Sequence, residues 1–304
     1  MATSLTSPSL VFAADTAILA ARKALAKAKY FTTDFSADAV QPGSTMKIPV
    51  FAATAETFDA DNANYEHSTG SVTWASVTFG NHVKGTYEFT DRDFTLAPMG
   101  SFWKNAGDDA GRAIAASIMG TVGGLINKTN IPKTGTGTAA NEVVFSVTKA
   151  NLAGLRDKCA AAGIDPGQCA LLLNPAQFAA ALALLDANVY GGSEAIRNGV
   201  VEGLYGFAAV VECTTLTTTA TEYLLGAIIP KDGLAIAGRV VPVGSPSAYQ
   251  EIGTTTDEDS GLVLGLRRHG NPATGSNFLN VEALFGAAIV QPGKCIRLVS
   301  QATA

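Results

Sequence analysis

The chain has 304 residues, 47% hydrophobic and only 15% charged, with a formal net charge of −5. That balance argues against a dedicated nucleic-acid-binding domain, which usually shows a strongly basic face. No apolar run approaches the ~18 residues that cross a bilayer as a helix, and a charged share below the usual ~25% fits a surface largely covered by neighbours.

Residues 1–12 carry Ser, Thr and Pro and read as extended. Ala13 to Tyr30 reads as a helix, with Ile18, Leu25 and the alanines as its apolar stripe. Its basic residues, Arg22, Lys23, Lys27 and Lys29, face one acid, Asp15. Pro42-Gly43 marks a turn. Thr45 to Phe51 reads as a strand, placed at an edge or a break by Pro49. From Ala52 to Ser71 the chain is small, polar and acidic; Glu56, Asp59, Asp61 and Glu66 stand there without a Lys or Arg. The two oppositely charged segments are either separate solvated surfaces or partners between copies. A β pattern begins at Val72, Trp74, Val77 and Phe79 and resumes at Val83, Tyr87 and Phe89 after Gly80-Asn81. This reads as a two-stranded excursion with too few apolar positions for a core of its own, so it needs a surface to lie on.

The longest helical pattern starts at Pro98. Trp103, Ala106, Ala110, Ile114, Ile118, Val122 and Leu125 recur at threes and fours. Gly107, Gly111, Gly120, Gly123 and Gly124 imply close backbone packing or a bend, and a less regular helix past Gly120. Val143 to Ser146 reads as a short strand. Thr148 is suited to cap a helix that ends at Gly163. Ala170 to Leu173, Asn174-Pro175, Ala176 to Leu185 and Phe207 to Glu212 form a strand–helix–strand unit with a Gly191-Gly192 loop inside it. Tyr223 to Ile229 and Leu234 to Val243 read as a hairpin about Lys231-Asp232-Gly233. Thr254 to Ser260 reads as an acidic loop, and Leu262 to Arg268, Ala283 to Val290 and Lys294 to Val299 as strands.

Signals for chemistry are weak throughout. The sequence contains no GxSxG, HExxH, GxxxxGK[ST] or GxGxxG. Thr134 to Thr138 lacks the Lys of a phosphate loop, and the oxygens from Asp59 to Glu66 lack the glycine of a calcium loop. Cys159, Cys169, Cys213 and Cys295 have no CxxC spacing and read as reduced, buried thiols. No cofactor or metal is expected, and no enzymatic activity. Met1 to Pro8 shows no basic stretch before an apolar one, so no signal peptide is expected. Trp74, Val77 and Phe79 are candidate contacts to another subunit. Trp103 is read as core.

The order of elements resembles the major capsid proteins of tailed bacteriophages, the Hong Kong 97-type coat fold, an α+β architecture. Thr148-Lys149-Ala150-Asn151-Leu152, Leu171-Leu172-Leu173-Asn174-Pro175-Ala176-Gln177-Phe178, Gly203 to Val211, Ala235 to Arg239 and Glu282 to Gly286 carry the likeness. It implies an N-terminal arm and helix over residues 1–44 and an extended loop over 45–95 lying on the adjacent subunit. It further implies a peripheral domain over 96–169 plus about 254–304 with a spine helix over 98–128, and an axial domain over about 170–253. The implied function is self-assembly through pentamers and hexamers into an icosahedral shell around double-stranded DNA. The implied partners are the chain itself, separate scaffolding, portal and decoration proteins, and packaged DNA touched non-specifically, with no membrane. The implied place is the virion, assembled in the bacterial cytoplasm. Glu56, Asp59, Asp61, Glu66, Trp74, Val77 and Phe79 become candidate inter-subunit residues, and Arg22, Lys23, Lys27 and Lys29 candidates to face the polyanion. The same fold also builds encapsulin compartments, and a secreted β-rich binding protein or hydrolase is the remaining alternative.

Overall fold

The computed structural model describes residues 8–34, 45–52, 71–90, 92–93, 99–133, 141–184, 200–216, 219, 222–257 and 262–301. Helix α1 spans Pro8–Leu25. It begins on a proline, whose missing N–H is no loss in a first turn. Helix α2, Met99–Leu125, crosses it. The crossing is tight because α1 presents Ala13 and Ala17 where α2 presents Gly107 and Gly111. A Cβ on either glycine would fall 2.3 or 2.2 Å from the Ala13 or Ala17 carbonyl oxygen.

Both helices lie on one face of a six-stranded sheet. Its strands are β1 (Thr32–Asp34), β4 (Asn81–Thr90), β10 (Leu234–Arg239), β11 (Glu251–Thr256), β12 (Val263–Asn271) and β13 (Ser276–Ile289). β13 organises the sheet. It pairs antiparallel with β4 over 276–285, with β12 over 276–282 and with β10 over 284–289. Ile114, Ile118, Leu264, Leu266, Leu279, Val281 and Phe285 fill the space between this sheet and the helices.

A second six-stranded sheet runs β5–β14–β9–β6–β8–β7. Its strands are β5 (Glu142–Val144), β6 (Cys169–Leu173), β7 (Val200–Glu202), β8 (Ala209–Glu212), β9 (Leu224–Pro230) and β14 (Ile296–Val299). The two central strands, β6 and β9, read as unbroken apolar runs because both faces are covered. Leu171, Leu173, Val210 and Ile228 point into one core, with α3 (Lys149–Ala161) and α4 (Pro175–Ala183). Ala170, Leu172, Val211 and Ile229 point into another, which reaches Val122 and Ile126 near the end of α2. Side-chain caps start both helices: Thr148 accepts from the Asn151 N–H, and Asn174 from the Gln177 N–H. Arg297 is wholly buried in this unit, with Glu142 at 3.2 Å and Glu222 at 2.7 Å.

Several expectations are corrected. The first helix starts at Pro8, so residues 8–12 are helical. α2 stays helical through Gly120 to Leu125, because Gly123 is seated against Thr215 and Val122 is buried. β9 and β10 are not a hairpin: the Lys231–Gly233 turn carries the chain from the second sheet to the first. Residues 254–256, expected to open an acidic loop, belong to β11, and residues 269–271 and 276–282 are strand. β5, α3 and β14 belong with the strand–helix–strand unit, whereas β10 belongs with the other sheet.

Candidate assembly surface

A third, two-stranded sheet joins β2 (Thr45–Ala52) antiparallel to β3 (Ser71–Thr78). The expected pairing of Val72–Phe79 with Val83–Phe89 is therefore wrong. β4 belongs to the first sheet, where Phe89 is buried against Phe102 and Trp103. The ribbon is built from β2 and β3, and alternation decides its faces. Ile48 and Val77 turn inward onto Ala235 and Ala237 of β10. Lys47, Pro49 and Phe51 turn outward. Register places Pro49 opposite Trp74 and Phe51 opposite Val72, so the four share the outer face. Phe51 is 73% exposed, Trp74 61% and Val72 48%. The inward half has cover only near the base, since Ser71 to Trp74 are all exposed. Among the described residues, the far half of the ribbon stands clear of the body.

Candidate residues separate accordingly. Trp74 is on the open apolar face. Val77 is fully buried within the chain, which removes it as a contact to another copy. Phe79 is half-buried, packed on the same core, with the Arg239 guanidinium 5.6 Å from its ring centre. Glu56, Asp59, Asp61 and Glu66 lie outside the described residues, as does the Gly191-Gly192 loop. Phe51 was missed as a candidate. Its signal was alternation with Pro49 across an otherwise acidic boundary.

The basic residues of the N-terminal segment do not act as one face. Arg22 is paired with buried Asp257, its Nε 3.2 Å from Oδ2. Lys27 is 3.4 Å from Glu212. Lys23 and Lys29 are exposed, with Lys29 over the Tyr30 ring. α1 also exposes Phe12 and Leu19, at 60% and 50%.

Among the described residues, no group of three His, Cys, Asp or Glu side chains is placed to hold a metal ion, and no helix is long and apolar enough to cross a membrane. All four thiols are buried. Burial pushes Cys159 up to about 11 and Cys169 up to about 12, away from thiolate chemistry. His82 sits 2.9 Å from Glu282, and His269 stacks on Phe278.

The fold is similar to that of several solved structures. A Mycobacterium phage Che8 structure shares 13% identity at TM-score 0.52, covering 90% of each chain. The capsid structure of the cyanophage P-SCSP1u shares 13% at TM-score 0.54, covering 90% of this chain and 86% of that one. A virus-like particle from Pyrococcus furiosus shares 11% at TM-score 0.53, covering 94% and 97%. At these identities the likeness defines a fold. The family follows from the sequence itself: residues 69–292 match the family described as phage capsid protein. The chain belongs to that family, and is a structural coat protein of a bacteriophage. No protein with a curated description matches it.

Proposed function

We propose that the chain is the self-assembling unit of an icosahedral shell, built through pentamers and hexamers, that encloses double-stranded phage DNA. The observation that carries this reading is the open apolar face of Pro49, Phe51, Val72 and Trp74, on a ribbon whose far half meets no partner among the described residues. A patch of this kind is stabilised by burial against another surface, and repetition over many copies turns modest contacts into a stable shell. Exposed Lys23 and Lys29 are available to the packaged polyanion, while Arg22 and Lys27 are occupied by carboxylates. Contact with DNA is then sparse, non-specific and weakened by salt. Assembly takes place in the bacterial cytoplasm.

Negative-stain microscopy of the purified chain tests this. The expected result is closed particles of uniform diameter, holding nuclease-protected DNA when they come from infected cells. A chain that stays monomeric across salt, pH and concentration overturns it. The coverage of the Pyrococcus virus-like particle supports a second reading, a protein compartment. Particles that retain a co-purifying protein and no nucleic acid would select it.

A further inference from the structure

A surface helix usually turns a polar face to solvent. α1 departs from that rule. Its core side is filled by Leu10, Ala13, Ala14, Ala17, Ile18 and Ala21. The opposite side carries a stripe at threes and fours: Phe12, Asp15, Leu19 and Lys23, all exposed, with exposed Ala26 just past the helix end. Phe12 and Leu19 are the two large exposed apolar side chains of this helix. They lie seven residues apart, close to two turns, so they face the same way.

The charges on the stripe are placed about Leu19. Asp15 is four residues before it and Lys23 four residues after it. Eight residues separate the two charges by about 12 Å along the axis, too far for them to pair within one helix. A twofold axis through Leu19, perpendicular to α1, brings a second α1 antiparallel onto the first. Leu19 then meets Leu19 of the neighbouring copy. Asp15 of each copy faces Lys23 of the other, and each Phe12 ring lies over the small Ala26. This is the self-complementary pattern that a closed pair of identical surfaces requires. A parallel pair in register sets Asp15 on Asp15 and Lys23 on Lys23, where like charges repel.

We infer that α1 forms a twofold contact between copies, packing antiparallel on α1 of a neighbouring copy about Leu19. This rests on the shell reading and adds to it a contact made by the body of the subunit, separate from the ribbon. Lys23 meets a carboxylate in this contact, which leaves Lys29 to the polyanion.

The test takes particles assembled from the full-length Leu19→Cys chain and oxidises them with diamide. Cys159, Cys169, Cys213 and Cys295 are buried and give no competing link in folded subunits. Most of the chain should run as a covalent dimer on a non-reducing gel, in a yield that does not fall when the particles are diluted. Asp15→Cys alone should link little, because the same position on the neighbour lies about 12 Å away along the axis, beyond the roughly 4.4–6.8 Å between Cα atoms that a disulfide spans. Particles mixed from Asp15→Cys and Lys23→Cys chains should link position 15 to position 23. That pair retains Leu19 and reads the same contact if Leu19→Cys assembles poorly. A chain that stays monomeric on the gel in both experiments overturns the inference, and so does equal linking at positions 15 and 19. Exchange of charge gives an independent arm. Asp15→Lys should lower particle yield several-fold, and adding Lys23→Asp should restore it, since the pair re-forms with its signs exchanged. Unaltered yield from Asp15→Lys counts against the inference. Normal particles without these links defeat the inference alone, whereas an unaltered chain that forms no particles defeats the shell reading and the inference with it.

Discussion

The second sheet and the β2–β3 ribbon are both apolar, yet they solve opposite problems. Every residue of β6 is buried, Leu171 and Leu173 on one side and Ala170 and Leu172 on the other. The ribbon buries Ile48 and Val77 and leaves Phe51 and Trp74 in the open. The sheet is completed by its own chain, whereas the ribbon is completed only at its base. One region secures the subunit; the other, on the shell reading proposed above, is completed by another copy.

Substitutions can break this contrast. The largest loss is expected at Arg297. Removing it strands Glu142 as a buried charge, at a cost of about 3–5 kcal/mol for Arg297→Ala in denaturant unfolding. Replacing Arg297 and Glu142 together by apolar residues of similar size should cost much less, because the one carboxylate left without Arg297 is then the part-exposed Glu222, which water can reach. Next comes Leu172→Ala, with about 2–5 kcal/mol lost from a site with no exposure. Asn174→Ala removes the cap that starts α4 and should cost about 1 kcal/mol by the same measurement.

A smaller effect is set by pH. The Tyr87 hydroxyl donates to Asp109 at 2.6 Å, and the Tyr30 hydroxyl donates to Glu202. Burial, then the neighbouring carboxylate, pushes both phenols from 10.0 up to about 12. The folded state thus holds these protons more tightly than the unfolded chain. Their contribution is complete below about 10 and is lost as pH rises toward about 12. Both sites are part-exposed, so the slope of stability against pH should be shallow, and Tyr87→Phe should flatten it further. The smallest effect on stability belongs to Trp74→Ser, within about 0.5 kcal/mol for the dissociated subunit. Particle yield should nevertheless collapse, which separates the ribbon from the sheet most sharply.

Much of this was legible in the sequence where local chemistry decides. Thr148 caps α3 as its residue type implies, Asn174-Pro175 separates β6 from α4, Gly163 ends α3 with φ at +68°, and the threes-and-fours pattern after Pro98 becomes α2. Partner choice was not legible. Val72–Phe79 and Val83–Phe89 are adjacent in sequence, and only the long strand β13, nearly 200 residues on, takes β4 away from β3. The Lys231–Gly233 turn misled for the same reason: a tight turn fixes direction, but not which sheet receives the next strand. For the candidate surface, composition marked Trp74 as an aromatic without a local core, and the structure leaves it exposed. It could not mark Val77 as buried, because that depends on Ala235 and Ala237 being small enough to admit the ribbon base.

Tryptophan quenching tests the central claim most directly. The chain has two tryptophans, and Trp103 is 4% exposed while Trp74 is 61% exposed. Trp103→Phe leaves Trp74 as the sole indole reporter. Its acrylamide quenching should be strong in dissociated subunits and fall sharply, with a blue-shifted emission, once particles form. Equal quenching in subunits and particles would contradict the account, since the apolar face of the ribbon would then remain uncovered in the assembled state.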